Sequence, residues 1–210
     1  TADGYIKIGT MGANASKSFD KVYTKGVFVF NYSVLCGDNN YNQYYIYANT
    51  SDKKYEGTWL DEFVEVLGCR FPKTTINLIG DTSQTAPKYT NGKWANCDLV
   101  INFDDKIIQL YIDNALISTV PNTLTGLGGI MLGAKNEKSD VLNFDDIALY
   151  YTPGEEEIPS PIAQYKLSEN LIGSSDCTTA QHTAFWDYQR NMNTADGYIK
   201  IGTMGANASK

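Results

Sequence analysis

Histidine is nearly missing from this sequence, because His182 is the only one among 210 residues. None of the four cysteines lies in a Cys-x-x-Cys pair, so the usual ligands of a transition-metal cluster are scarce. The cysteines are Cys36, Cys69, Cys97 and Cys177. We interpret them as isolated buried thiols, while their even number leaves disulfide pairing open. A lone histidine in a polar stretch also provides no recognisable nucleophile–base pair for covalent catalysis.

Long apolar runs and an excess of positive charge are missing as well. No run approaches the roughly 20 apolar residues that span a bilayer, so we expect no membrane span. No signal peptide opens the sequence, and we expect any export signal to lie outside these residues. A formal net charge of −7 argues against nucleic acid or an anionic membrane surface as a partner. The 15 tyrosines, with abundant Asn, Thr and Gly, favour a β-rich protein located extracellularly or on a cell or virion surface.

The sequence shows no sustained helical periodicity, and short stretches of alternating apolar and polar residues take its place. The alternation is clearest in residues 98–104 (DLVINFD) and 107–113 (IIQLYID), and Asp113-Asn114 predicts a tight turn. Further strands are predicted at 26–35, 43–49, 62–67, 74–80, 115–120, 128–134, 141–152 and 162–167. Residues 15–22 are predicted to turn, and residues 168–183 to form a polar loop. Many short strands with almost no helix predict an all-β antiparallel two-sheet β-sandwich of the jelly-roll type.

One stretch occurs twice: residues 1–17 (TADGYIKIGTMGANASK) recur letter for letter as residues 194–210. The offset of 193 residues (194 − 1) is about the size of one domain. The chain is therefore either one period of a tandem array with a short overhang, or a rearranged domain with one segment duplicated. Both explanations stay open. Within each copy, residues 3–8 and 196–201 have a strand pattern, with Ile6 and Ile8 on one face.

A stiff, acidic and proline-flanked stretch at 153–161 predicts a linker. It separates residues 1–152, the main body of the sandwich, from residues 162–210, interpreted as the N-terminal strands of the same or the next repeat. The domain is thus phase-shifted or circularly permuted. Since one domain has one position for the duplicated strand, we expect self-association: one copy of 1–17 or 194–210 pairs with a neighbouring molecule. The alternative is a closed monomer in which 162–193 packs back.

Three runs of the sequence resemble laminin-G-like or concanavalin-like jelly rolls. They are CDLVINFDDKIIQLYIDNALIST, GLGGIMLGA and NFDDIALYYTPG. The resemblance covers residues 97–152 well and 26–47 loosely, and it extends to bacterial carbohydrate-binding modules and adhesin repeats. It implies a structural Ca²⁺ at Asp145 or Asp146, since related modules often hold calcium in the closing strand. An exposed acid beside a hydrogen-bonded turn acid is the alternative.

Aromatic residues in polar loops favour sugar binding, because flat rings stack on the C–H faces of sugars while amides and carboxylates bind hydroxyl groups. The candidate ligand-binding residues are Tyr41, Asn42, Tyr44, Trp59, Tyr89 and Trp94. An exposed tryptophan is costly unless it binds something. The alternative interpretation is that Trp59 and Trp94 cap the ends of the sandwich.

Catalysis requires acids that this sequence does not place clearly. In residues 61–66 (DEFVEV), Asp61 and Glu65 could share one face while Glu62 points away, so a triad of acids on one strand face is missing. We therefore expect a non-catalytic glycan-binding domain of an extracellular or surface repeat protein. The alternative function is a structural or self-assembling repeat of an adhesin, fibre or filament, joined by strand exchange.

Overall fold

The computed structural model describes residues 6–8, 13–36, 44–70, 75–83, 92–134, 142–154, 171–175, 188–190, 192–195, 198–201 and 207–208. These residues contain sixteen strands and no helix, and hence no helix that could cross a membrane. In chain order the strands are β1 (Ile6–Ile8), β2 (Ala13–Tyr23), β3 (Val27–Cys36), β4 (Tyr44–Asn49), β5 (Phe63–Arg70), β6 (Thr75–Leu78), β7 (Trp94–Asn102), β8 (Ile107–Ile112), β9 (Ala115–Pro121), β10 (Leu127–Ala134), β11 (Leu142–Thr152), β12 (Leu171–Ser175), β13 (Tyr188–Arg190), β14 (Met192–Ala195), β15 (Tyr198–Ile201) and β16 (Asn207–Ala208).

The strands form two sheets that enclose one core. Sheet A has the order β14-β15-β1-β11-β3-β7-β8-β9, and β12 pairs with a second part of β11. Sheet B has the order β16-β13-β2-β10-β4-β5-β6. Every pairing is antiparallel except the parallel pair β1–β15. The prediction of an all-β two-sheet sandwich is confirmed.

Strand β3 lies in the middle of sheet A, between β11 and β7, and its first half is apolar on both sides. Phe28, Phe30 and Tyr32 face the core between the sheets. The alternate residues Val27 and Val29 are also buried, in a small cluster on the outer side of the sheet. A central strand covered on both faces has no need of the polar alternation seen in strands with one solvated face.

The two sheets are joined through the core by a pair of buried tyrosines. The Tyr32 hydroxyl in sheet A lies 3.1 Å from the Tyr44 hydroxyl in sheet B, and both side chains are completely buried. Phe144 packs edge-on against Tyr44, with ring centroids 5.2 Å apart. Tyr44 thus lies in the core rather than on the surface where a ligand was expected, and its role in ligand binding stays a prediction.

The turn between β8 and β9 has the geometry that its sequence predicts. Asp113 and Asn114 have φ values of 49° and 65°, which suit the two central residues of a type I′ hairpin turn. Asp113 also ties this turn to β7, because its carboxylate accepts a hydrogen bond of 3.0 Å from the backbone N–H of Asn96. The tight turn is confirmed.

Two polar stretches predicted as turn and loop form strands instead. Residues 15–22 belong to β2, where Ala15 and Phe19 pack on the core while Ser16 lies opposite Met131 of β10. Part of 168–183 forms β12, which pairs with β11. Strand β2 is polar along most of its length, and β12 is only five residues long, so the pairing of both depends on distant strands rather than on a local apolar pattern.

The described residues of each copy of the duplicated segment contribute to strands of both sheet A and sheet B. In sheet A the copies pair side by side, with Ile6 opposite Ile199 and Lys7 opposite Lys200. In sheet B, Gln189 of β13 lies opposite the equivalent residues Ala15 and Ala208. The sequence predicts that one domain has one position for the duplicated strand. The structure differs, because the second copy is added to sheet A as a strand beside the first. Exchange between molecules stays a prediction. Residues 155–167, which include most of the linker, lie outside the described residues.

We expect the Tyr32–Tyr44 hydroxyl pair to contribute measurably to stability. Tyr32→Phe or Tyr44→Phe should each lower the free energy of unfolding by about 1 kcal/mol, because each removes a buried hydrogen bond. The double variant should lose about 0.5–1 kcal/mol less than the sum of the single losses. Urea unfolding measures all four proteins, with Tyr47→Phe as an outer-face control. Strictly additive losses would show that the two hydroxyls are not coupled.

Tyr23 makes the stability of the fold depend on pH in the alkaline range. Burial, followed by the hydrogen bond of 2.9 Å donated to Asp20, raises the pKa of Tyr23 to about 12. Folding therefore tightens proton binding at this residue. The resulting stabilisation is complete below the ordinary pKa of 10.0 and is lost as pH rises through about 12.

Tyr23→Phe should therefore make the fall in unfolding free energy between about pH 9 and about pH 12 shallower. Asp20→Asn should have an intermediate effect, because it removes the charge beside the hydroxyl and leaves the burial. Urea unfolding across this pH range is the measurement. An unchanged slope in Tyr23→Phe would contradict the assignment.

Candidate functional site

A row of aromatic rings crosses the outer face of sheet B. Because Tyr44, Ile46 and Ala48 of β4 face the core, the alternate residues Tyr45 and Tyr47 lie on the outer face. Their ring centroids are 6.1 Å apart. Trp59, from the loop before β5, packs edge-on against Tyr47 with centroids 5.0 Å apart and is 52% exposed. We call Tyr45, Tyr47 and Trp59 the aromatic strip.

The loop that carries Trp59 is fixed at both ends. At its start, the Asn49 side chain donates a hydrogen bond of 2.7 Å to the Lys53 carbonyl and accepts one of 3.0 Å from the Ser51 backbone N–H. The second is an Asx turn, for which asparagine is well suited. Towards the end of the loop, Thr50 donates to the Glu62 carbonyl through its backbone N–H at 3.0 Å and its hydroxyl at 3.1 Å.

A small apolar cluster fastens the middle of this loop to sheet B. Tyr55, Phe63 and Met131 are buried together on the outer side of the sheet. Phe63 also contacts the Trp59 ring, with centroids 5.3 Å apart. Trp59 is therefore held by two neighbouring rings while half of its surface stays accessible.

Polar and small residues flank the aromatic strip. Glu65 of β5 lies opposite Tyr47, and Gly133 of β10 lies opposite Tyr45. Gly133 has no side chain to cover the two tyrosine rings. The carboxylate of Glu65 and the uncovered backbone at Gly133 lie beside accessible rings. Together they form a shallow surface that can bind hydroxyl groups and apolar C–H faces.

The acids of residues 61–66 are not arranged on one strand face. Asp61 and Glu62 lie in the turn before β5, and Glu65 lies within β5. Glu62 forms an ion pair with Lys53, which lowers the pKa of Glu62 and raises the pKa of Lys53. Glu62 is thus paired at the loop surface, and Glu65 is the member of this group that lies opposite Tyr47 of the aromatic strip.

Trp94 lies on the opposite side of the sandwich from Trp59. It begins β7 in sheet A, shares the alternation of Asn96 and Asp98, and is 44% exposed. Beside it runs a polar row in which the Asn31 amide donates to Asp98 Oδ1 at 2.8 Å and to Asn96 Oδ1 at 3.3 Å. Asp98 is completely buried. This row holds the strands of sheet A together and does not extend the aromatic strip.

The predicted ligand-binding set is therefore divided by the structure. Trp59 and Trp94 occupy different faces, Tyr44 is in the core, and Tyr41, Asn42 and Tyr89 lie outside the described residues. Sequence reasoning missed Tyr45 and Tyr47. The signal was present in residues 43–49 (QYYIYAN), where Ile46 and Ala48 mark the core face and assign the alternate tyrosines to the outer one.

Asp145 and Asp146 have a structural role in β11. The pairing of β11 with β3 shifts between Asp145 and Ala148, and Asp146 has a φ of 51° at this bulge. Asp145 Oδ1 accepts a hydrogen bond of 2.8 Å from the Asp146 backbone N–H, and the Ser33 hydroxyl donates to Asp146 at 3.3 Å. In the described part of the chain, no three His, Cys, Asp or Glu residues are grouped to hold a metal. Calcium needs six to eight oxygens, so these residues alone do not fit it.

Calcium binding here stays a prediction with a direct test. A site at Asp145 or Asp146 predicts that Ca²⁺ raises the melting temperature of the full chain by mass action. Asp145→Asn and Asp146→Asn should remove that rise. Differential scanning calorimetry in Ca²⁺ and in chelator makes the comparison. Equal melting temperatures in both conditions would dismiss the calcium site and leave the bulge as the role of both residues.

Cys97 is the cysteine whose side chain the structure describes, and its burial agrees with the expectation of an isolated buried thiol. Cys97 is a thiol outside any disulfide and is completely buried in the core. The side chains of the other three cysteines lie outside the described part, so the disulfide question stays open for them.

Comparison with known proteins supports the architecture. No protein-family model matches the chain, and no curated protein matches it. A sialidase structure is 13% identical with a TM-score of 0.50; the likeness covers 70% of this chain and 15% of the sialidase. An alginate lyase is 10% identical over 70% of this chain and 74% of the lyase, with a TM-score of 0.46. A carbohydrate-binding module from Bacillus subtilis is 7% identical over 71% of this chain and 96% of the module, with a TM-score of 0.42.

These likenesses concern the fold alone, because identities of this size do not carry function. The chain spans only 15% of the length of the sialidase. The fold is the concanavalin-like jelly-roll sandwich, and the resemblance seen in residues 97–152 is confirmed at that level.

Proposed function

We propose that this chain is a non-catalytic glycan-binding domain of an extracellular or surface repeat protein, and that the aromatic strip is its binding surface. The observation that carries the proposal is Trp59, which is 52% exposed while it packs against Tyr47 and Phe63. Single exposed apolar residues are normal, whereas neighbouring accessible aromatic rings such as those of the strip are typical of an interaction surface. The rigid loop means that little side-chain freedom is lost on binding.

The chemistry of the strip suits a sugar. The rings of Tyr45, Tyr47 and Trp59 offer apolar surface to the C–H faces of sugar rings. Glu65, opposite Tyr47, offers an acceptor for sugar hydroxyl groups. With a net charge of −7 and a carboxylate at the strip, a neutral glycan is favoured over an anionic one.

Binding without catalysis is favoured by how the acids are distributed. Hydrolysis of a glycosidic bond by paired carboxylates needs two of them facing one substrate. Near the strip, Glu62 is paired with Lys53, and Glu65 is the acid that lies on the outer face of β5. Proteins similar in fold include enzymes as well as a binding module, so the fold itself assigns neither role.

A second candidate function is a structural repeat that assembles through the duplicated segment. One observation favours it: the two copies pair with each other in register within sheet A. The two functions use different parts of the sandwich, and one does not require the other.

The two exposed tryptophans provide a matched pair of variants for testing glycan binding. Trp59→Ala should weaken binding of a neutral glycan about tenfold or more, equal to about 1.4 kcal/mol, because it removes the exposed end of the strip. Trp94→Ala makes the same chemical change on the opposite face and should leave affinity unchanged. A glycan array identifies the ligand, and calorimetric titration measures the affinity of the three proteins.

Two outcomes would contradict the assignment. Equal affinity of Trp59→Ala and the parent would exclude the strip, and a loss confined to Trp94→Ala would move the site to sheet A. Tyr47→Phe retains the ring beneath Trp59 and should bind within about twofold of the parent. Circular dichroism of each variant confirms that the sandwich is intact.

A further inference from the structure

The margin of sheet A pairs two identical segments in one register. Ile6 lies opposite Ile199 and Lys7 opposite Lys200, in parallel strands. Since the copies are offset by 193 residues, each of these pairs joins the same residue of the two copies. The edge of β1 that faces away from β11 therefore pairs with a segment whose sequence is identical to that of β1.

The same relation is found in sheet B. Strand β13 lies between β2 and β16, with Gln189 opposite Ala15 on one side and Ala208 on the other. Ala15 and Ala208 are equivalent residues of the two copies. The second copy thus occupies margin positions in both sheets, beside or one strand away from the first copy.

We propose that the edge of β1 is a docking surface for a second copy of this chain, whose residues 198–201 add there as a parallel strand. The register is the one seen within the chain, with position 200 opposite position 7. The partner is defined by sequence identity, because every copy of the chain carries both the edge and the segment that pairs with it. The proposal deepens the second candidate function, and glycan binding at the aromatic strip does not depend on it.

The pairing does not specify from which molecule the added strand comes. Backbone N–H and C=O groups of β1 make the same hydrogen bonds with residues 198–201 of either source. The chain's own segment has an effective concentration of millimolar order. Exchange therefore becomes competitive at comparable protein concentration. A reciprocal exchange closes a dimer, and a head-to-tail exchange extends into a fibre.

Cysteine pairs distinguish the two sources of the strand. Positions 7 and 200 are direct partners across the parallel pair. Neighbouring strands in a sheet lie about 4.8 Å apart, which is within the Cα separations of disulfides. Lys7→Cys and Lys200→Cys chains are mixed, unfolded and refolded together at about 1 mM in a glutathione redox buffer. Peptide mass mapping then identifies the linkage. We expect a species of twice the chain mass that contains the 7–200 disulfide.

A matched control uses the neighbouring strand. Asn193 of β14 pairs with Lys200 and is separated from β1 by β15. A mixture of Lys7→Cys and Asn193→Cys chains should therefore give no 7–193 disulfide. The Lys7→Cys/Lys200→Cys double variant, kept dilute, should give the 7–200 disulfide within one chain, which establishes the register independently of exchange.

Each other outcome overturns the proposal. An intrachain disulfide in the double variant with no link between mixed chains would mean that the edge of β1 takes only its own chain's segment. Dimers that lack the 7–200 link would mean that the chain assembles through another surface. No 7–200 disulfide in any sample would mean that β1 and β15 do not pair in this register.

Discussion

The packing of the core-facing side of β3 against sheet B is the constraint on which the rest of the structure depends. Phe28, Phe30 and Tyr32 are buried between the sheets, each worth about 1.5–3 kcal/mol relative to an exposed position. Their alternation fixes the face that every neighbouring strand must turn inward, since a shift by one residue would expose a whole row. The surface residues of both sheets are consequently set by what the core requires.

Much of the fold could be predicted from local patterns because the strands of residues 97–152 carry strong ones. Alternation in β7 and β8 and the Asp113-Asn114 turn depend on neighbours a few residues away. Strands β2 and β12 were missed for the opposite reason. Strand β2 is largely polar and β12 is only five residues long, and both become strands because β10, β11 and β13 supply hydrogen-bond partners from distant parts of the sequence.

The sequence predicts that the candidate site is aromatic, but it does not predict which aromatic residues share one face of the sandwich. Residues 43–49 contain tyrosines of both parities, and only their alternation with Ile46 and Ala48 separates the core residue Tyr44 from the outer residues Tyr45 and Tyr47. Trp59 and Trp94 look alike in sequence, as tryptophans in polar surroundings. They lie on opposite faces because β5 and β7 belong to different sheets, and sheet membership is decided by long-range pairing. The loop aromatics thus predict an aromatic surface without indicating which of them lie together.

The duplicated segment shows how a sheet can accommodate a sequence that has no free place in the core. A sandwich interior is closed by packing, whereas a sheet margin accepts one more strand at the cost only of ordering it. The aromatic strip lies on the outer face of sheet B, and the paired copies of the segment lie at the margin of sheet A. Strand addition at that margin would leave the strip uncovered. Copies joined in this way would present several strips to one polymeric glycan, and avidity would then exceed the affinity of each strip without any new contact.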